Sequence, residues 1–136
     1  MSIIRNDEIQ TELITYLKAN TSITGALKKA DEIREDGWKG TEFTYPNIRI
    51  RMILNEPLPG TECYQRISVS FMAFSEDASS LESDQIAGII GNELHSHPFS
   101  ANNLTITLRV QNLVPAIWHG EHIWRSEAIM NGIVSG

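Results

Sequence analysis

From Asn47 to Leu54 the chain reads NIRIRMIL, in which Ile48, Ile50, Met52 and Leu54 alternate with Asn47, Arg49 and Arg51. Side chains along a strand point to opposite faces in turn, so this period of two sorts the apolar residues onto one face and the arginines onto the other. The pattern constrains the fold strongly because it recurs. CYQRISVSFMAFS sets Ile67, Val69, Phe71 and Ala73 against Arg66, Ser68, Ser70 and Met72, and LTITLRVQNLVP turns Leu104, Ile106, Leu108 and Val110 inward. The joining segment NEPLPGTE has the prolines and glycine of a turn, which predicts that the first two runs pair antiparallel. A last run, GEHIWRSEAIMNGIV, predicts a fourth long strand, with Gly120 as the bend before it. Asp31 to Tyr45, with Gly37 and Gly40, reads as a short strand or an exposed loop.

Helical spacing fills the rest. Asn6 is the expected cap of a first helix with Asp7 and Glu8 in its first turn and an apolar stripe of Ile9, Leu13, Tyr16 and Leu17. Ser22 is the expected cap of a short second helix carrying Ile23, Ala26 and Leu27. Ser79 and Glu82 fit a capping box ahead of a third, whose apolar face is Leu81, Ile86, Ile89, Ile90 and Leu94. Gly88 and Gly91 are read there as close-packing positions, and Pro98 stops the helix near His95. The predicted class is α+β: one domain over residues 1–136, with a mainly antiparallel sheet of about four to five strands and helices packed on one face.

A chain of 136 residues that is 41% hydrophobic can build one core. Its net charge of -6 and pI of about 5.1 carry no basic footprint, so specific or bulk nucleic-acid binding is not expected. No apolar run reaches the roughly 20 residues that span a bilayer, and the N-terminus lacks a signal-peptide pattern. The expectation is a soluble protein made in the cytoplasm, with no membrane partner. Cys63, the only cysteine, cannot form an intramolecular disulfide and reads as a small strand residue.

The histidines are the one sign of metal chemistry. All four fall in two pairs, His95 with His97 and His119 with His122. His119-x-x-His122 would suit a metal on a helix. On a strand the two side chains point to opposite faces, unless Gly120 introduces a bulge. His95 and His97 fall where helix-terminal histidines meet the last carbonyls. No G-x-S-x-G, H-E-x-x-H or Walker-type glycine loop occurs, and the acidic run DEIRED reads as a solvated face. The reading therefore assigns no catalytic residue, no metal and no cofactor, and keeps a small histidine-dependent metal-binding protein or enzyme as the alternative from another class. Arg49 and Arg51 share a strand face, with Arg66 on the neighbouring strand. With Trp38, Trp118 and Trp124 they make up the candidate subunit or tube interface, because arginine and tryptophan are enriched among interface anchors. Solvated charge and ordinary core aromatics are the plainer reading of the same residues.

The layout as a whole carries a resemblance. A first helix precedes TSITGAL, a loop leads into YPNIRI, a strand ends in FSED before a capped helix, and two strands close the chain with IWRSEA. Over roughly residues 6 to 134 this resembles the tail terminator, or tail completion, proteins of long-tailed bacteriophages. The resemblance implies a structural virion protein and not an enzyme: a hexameric ring that caps the head-proximal end of the tail tube, ends tube polymerisation and provides the head-joining surface. It implies as partners further copies of the chain, the tail tube protein and a head-tail connector or neck protein. It places the protein in the host cytoplasm during assembly and then in the virion tail. A head-tail connector or neck protein of related fold is the alternative within the virion.

Overall fold

Ile67, Val69, Phe71 and Ala73 are all fully buried on one side of a single strand, as their alternation requires. A computed structural model describes this strand and its surroundings over residues 3–27, 32–37, 44–60, 64–77, 79–101, 104–120 and 122–136. In chain order the described residues form α1 (Asn6–Ala19), α2 (Thr21–Thr24), β1 (Ile33–Glu35), β2 (Asn47–Pro57), β3 (Tyr64–Ser75), α3 (Leu81–Leu94), β4 (Phe99–Ala101), β5 (Leu104–Gly120) and β6 (Ile123–Ser135). The strands make one mixed sheet in the order β1-β2-β3-β6-β5-β4, in which β1 and β2 run parallel and every other pair is antiparallel. The class is α+β, as predicted. The sheet has six strands, because the three-residue β4 is too short to show a period and the weak segment before Pro46 contributes β1.

The helices lie on one face. Ile9, Leu13 and Leu17 of α1 and Ile86, Ile90 and Leu94 of α3 join the buried cluster formed by Ile48 and Ile50 of β2, the four β3 residues, Ala128, Met130 and Val134 of β6, and Ile106 and Leu108 of β5. α1 covers β1 and β2, and α3 covers β3, β5 and β6. Each such fully buried side chain is worth about 1.5–3 kcal/mol, so this layer dominates the stability.

Several local expectations shift. Asn6 is the first residue of α1 and not its cap: Arg5 holds the cap position, its backbone N–H donating to Glu8 at 3.3 Å. The Asn6 side chain instead accepts from Asn55 Nδ2 at 2.8 Å. Asn20 and not Ser22 caps α2, its Oδ1 accepting from the backbone of Ser22 and Ile23 at 3.0 and 3.2 Å. Glu82 does not close a capping box with Ser79; it accepts from Ser75 Oγ at 2.6 Å. Leu81 is 72% exposed, since five residues of helix carry it away from the stripe of Ile86, Ile90 and Leu94, which Ser83, Ala87 and Gly91 complete. β2 loses its alternation after Met52. Its pairing with β3 shifts between Met52 and Leu54, so Ile53 is an extra residue and Leu54 crosses to the face opposite Met52.

β3 is buried on both faces, not half-buried, since Ser68, Ser70 and Met72 are also under cover. At its start Gln65 pins the N-terminal segment: its Oε1 accepts from Ile4 N at 2.7 Å, and its Nε2 donates to Ile4 O at 3.1 Å and Asn55 Oδ1 at 2.7 Å. Across β6 the backbones approach closely at Gly132, which pairs with Ile67 on one side and Leu108 on the other. A Cβ there would overlap the carbonyl oxygen of Thr107 and sit 2.9 Å from Leu108 Cα. Gly88 is different: a Cβ on it meets nothing within 4 Å, so close packing holds at Gly91, where Val110 lies 3.3 Å away, and not at Gly88. We therefore expect Gly132→Ala to destabilise by about 3 kcal/mol or more, whereas Gly88→Ala should stabilise by up to about 1 kcal/mol. Urea unfolding of the two variants checks the opposite signs.

Candidate interaction face

The face without helices collects arginines. Strand register puts Arg34 beside Arg49, Arg51 beside Ser70, Arg66 beside Glu56, Arg109 beside Asn131 and Arg125 beside Phe74. Tracing these rows across the strands leaves all six on the side opposite Ile48, Phe71 and Met130. The chain has seven arginines, and only Arg5 lies elsewhere. Leu54, Ile117 and Ile133 occupy the same face, each between 38% and 45% exposed.

The arginines sit in two environments. Arg49 is not an open surface cation: it is 6% exposed, with Nη2 4.0 Å from Glu32 Oε1. Burial pushes its guanidinium below the ordinary value, and Glu32 opposes that shift. The physical reason is non-local. Glu32 precedes β1, its carbonyl accepts from Ile48 N at 3.1 Å, and the parallel pairing brings its carboxylate to Arg49. Arg66 pairs with Glu56, and Arg125 Nε lies 3.5 Å from Glu127, which also accepts from Ser70 Oγ at 2.9 Å. Arg51 and Arg109 are exposed, and no ion pair among the described residues uses them.

The tryptophans divide as well. Trp118 and Trp124 face each other across the β5–β6 hairpin, ring centroids 5.2 Å apart and nearly perpendicular, with Trp118 58% exposed. Together with Leu113 and Ile117, Trp118 makes the far part of β5 an exposed apolar segment. Trp38 lies outside the described residues, as does Cys63. Sequence reasoning named Arg49, Arg51 and Arg66 but missed Arg34, Arg109 and Arg125. In LTITLRV the alternation already sets Arg109 opposite Leu108, and that signal was available.

The histidines stay apart. His119 packs edge-on against Phe74 at 4.9 Å, and His122, at φ 57°, against Trp118 at 6.4 Å. His95 Nδ1 accepts from Val110 N at 3.0 Å, and His97 Nδ1 lies 3.1 Å from Glu93 O. These two border a shallow groove of about 330 Å³ between α3 and β5 with Gly88, Gly91, Val110 and Leu113. Among the described residues no group of three or more His, Cys, Asp or Glu side chains is placed to hold a metal ion, and no helix is long and apolar enough to cross a membrane. Compared with known proteins, the sequence matches no family model and no curated protein.

Removing Glu32 would take away the carboxylate 4.0 Å from the buried Arg49 guanidinium. Glu32→Ala is expected to cost about 3–5 kcal/mol, whereas Arg51→Ala should change stability by no more than about 0.5 kcal/mol. Equal thermal-unfolding shifts for the two would contradict the two environments described.

Proposed function

We propose that this chain is a structural subunit that works by associating with copies of itself. The observation that carries the reading is the helix-free sheet face, where the exposed Arg51, Arg66 and Arg109 stand with the exposed Leu54, Ile117 and Ile133 around the buried Ser68, Ser70 and Met72 of β3. Arginine with apolar residues is the composition of interface anchors, not of ordinary solvated surface. The exposed stretch of β5 from Leu113 to Trp118, beyond the part of β5 that pairs with β4, supports it, because apolar residues along a strand edge favour contact with another chain.

Within that class we assign the chain as a tail terminator: a ring, six-membered by resemblance, that caps the head-proximal end of a phage tail tube, stops its growth and offers the surface that joins the head. The order of its helices and strands agrees with the layout on which the resemblance rests. A ring requires a heterologous contact that closes by rotation, and the chain presents two unlike surfaces for one. The tail tube protein and a head-tail connector or neck protein are the further partners.

Deleting the gene from its phage tests the assignment. Overlong tails without heads support a terminator, and DNA-filled heads beside separate tails of normal length assign a connector instead. On the purified protein, Ile117→Ser/Trp118→Ser should abolish rings in negative-stain images while shifting stability by less than about 1 kcal/mol. Normal rings from that variant would remove the β5 segment from the contact.

A further inference from the structure

We infer that the arginine-bearing sheet face of one copy docks onto the helix layer of the next copy; this rests on the self-assembly reading and names the surfaces it uses. The chain is acidic overall at net charge -6, yet six of its seven arginines share one face. The opposite side is correspondingly acidic. α1 carries Asp7 and Glu8, α3 carries Glu82, Asp84 and Glu93, and the cations described there are Arg5, which pairs with both Asp7 and Glu8, and Lys18. Among the described residues Glu82, Asp84 and Glu93 accept only from neutral donors, so their charge is not cancelled. Two sides of opposite sign make the molecule complementary to itself head to tail. Face-to-face pairing of two like surfaces is opposed by the same charges.

The geometry of the sheet face fits a protein partner. Its own carboxylates are consumed within the chain, Glu32 by Arg49, Glu56 by Arg66 and Glu127 by Arg125 and Ser70. Arg51 and Arg109 are the exposed cations outside those pairs. They lie in adjacent rows on β2 and β5, three strand spacings or about 14 Å apart. Between them on the same face lie Ser70 and Ile129 in one row and Ser68 and Asn131 in the next, with Leu54 beside Arg51 on β2 and Ile133 one row beyond Arg109. Two exposed guanidinium forks flanking a centre of small, uncharged residues match a carboxylate-bearing protein surface. A nucleic-acid site would be expected to place most of its cations in the open, and here Arg34, Arg49 and Arg125 are half-buried or buried. A standard interface takes about 800 Å² from each partner, roughly a tenth of the 7579 Å² of this chain. Both sides can therefore be engaged at once, as a closed ring requires.

Complementary charge reversals test the docking. R51E/R109E makes the sheet face acidic, and E8K/E93K makes the helix layer basic. By sedimentation velocity, each variant alone should associate at least ten-fold more weakly than wild type. An equimolar mixture should regain the wild-type mass, because each altered side then meets its complement on the other variant. That recovery also shows both variants to be folded. The inference is overturned if the mixture stays at 15.3 kDa, if R51E/R109E alone associates like wild type, or if wild type is itself monomeric. It is equally overturned if the reversal only abolishes binding of a 20-nucleotide single-stranded DNA, which would assign the face to nucleic acid. Rings that ignore both reversals would leave the assembly reading standing and remove this one. Arginine-dependent open chains in place of rings would do the reverse for the terminator assignment.

Discussion

Packing of α1 and α3 onto the same face of the sheet is the constraint from which the rest follows. Phe71, fully buried at the centre of that face, pairs with Ile50 on one side and Ala128 on the other, so burying it sets the register of three strands together. A slip by one residue would turn every apolar side chain to the helix-free side and every arginine into the core. The arginine face is thus the obligatory counterpart of the core: the same alternation that hides the isoleucines must display what lies between them.

Energetically the two faces are unequal. The helix side gains about 1.5–3 kcal/mol for each large side chain it buries, while an exposed ion pair such as Arg66 with Glu56 contributes about 0–1 kcal/mol. The buried Arg49–Glu32 pair costs desolvation comparable to its attraction, so its effect is to hold β1 in place beside β2 more than to stabilise the fold. α3 also tethers the far hairpin. Asp84 Oδ1 accepts from Ser126 Oγ at 2.6 Å and from Ala116 N at 2.9 Å, which ties the part of β5 beyond β4 to the helix and blunts its edge there.

Much of this was legible in the sequence where one strong period ran unbroken. Alternation located β2, β3 and β5 and the side on which Arg51 and Arg66 would lie, and helical spacing located α1 and α3. What escaped depends on partners distant in sequence. Arg49 is buried by Glu32 through a parallel pairing that no local pattern announces, and the bulge at Ile53 sends Leu54 to the arginine side against its own alternation. The caps were misplaced because several hydrogen-bonding residues stand near each helix start, and tertiary contacts decide between them: Asn55 takes Asn6, and Ser75 takes Glu82. The histidine pair of the last hairpin was read as lying on one strand, whereas His122 falls in the turn between β5 and β6 and the register shifts at Gly120; each ring meets a different aromatic side chain. Trp38 was placed in the interface by sequence and lies outside the described residues.

The central claim is that unlike charge on two sides of one domain drives its association. Screening tests it directly, because the Debye length falls from about 10 Å at 0.1 M salt to about 3 Å at 1 M. Mass measured by sedimentation equilibrium on the unaltered protein across that range should descend from a multimer toward the 15.3 kDa subunit. A multimer whose mass is indifferent to salt, or a subunit that stays single at the lowest salt, would contradict the account.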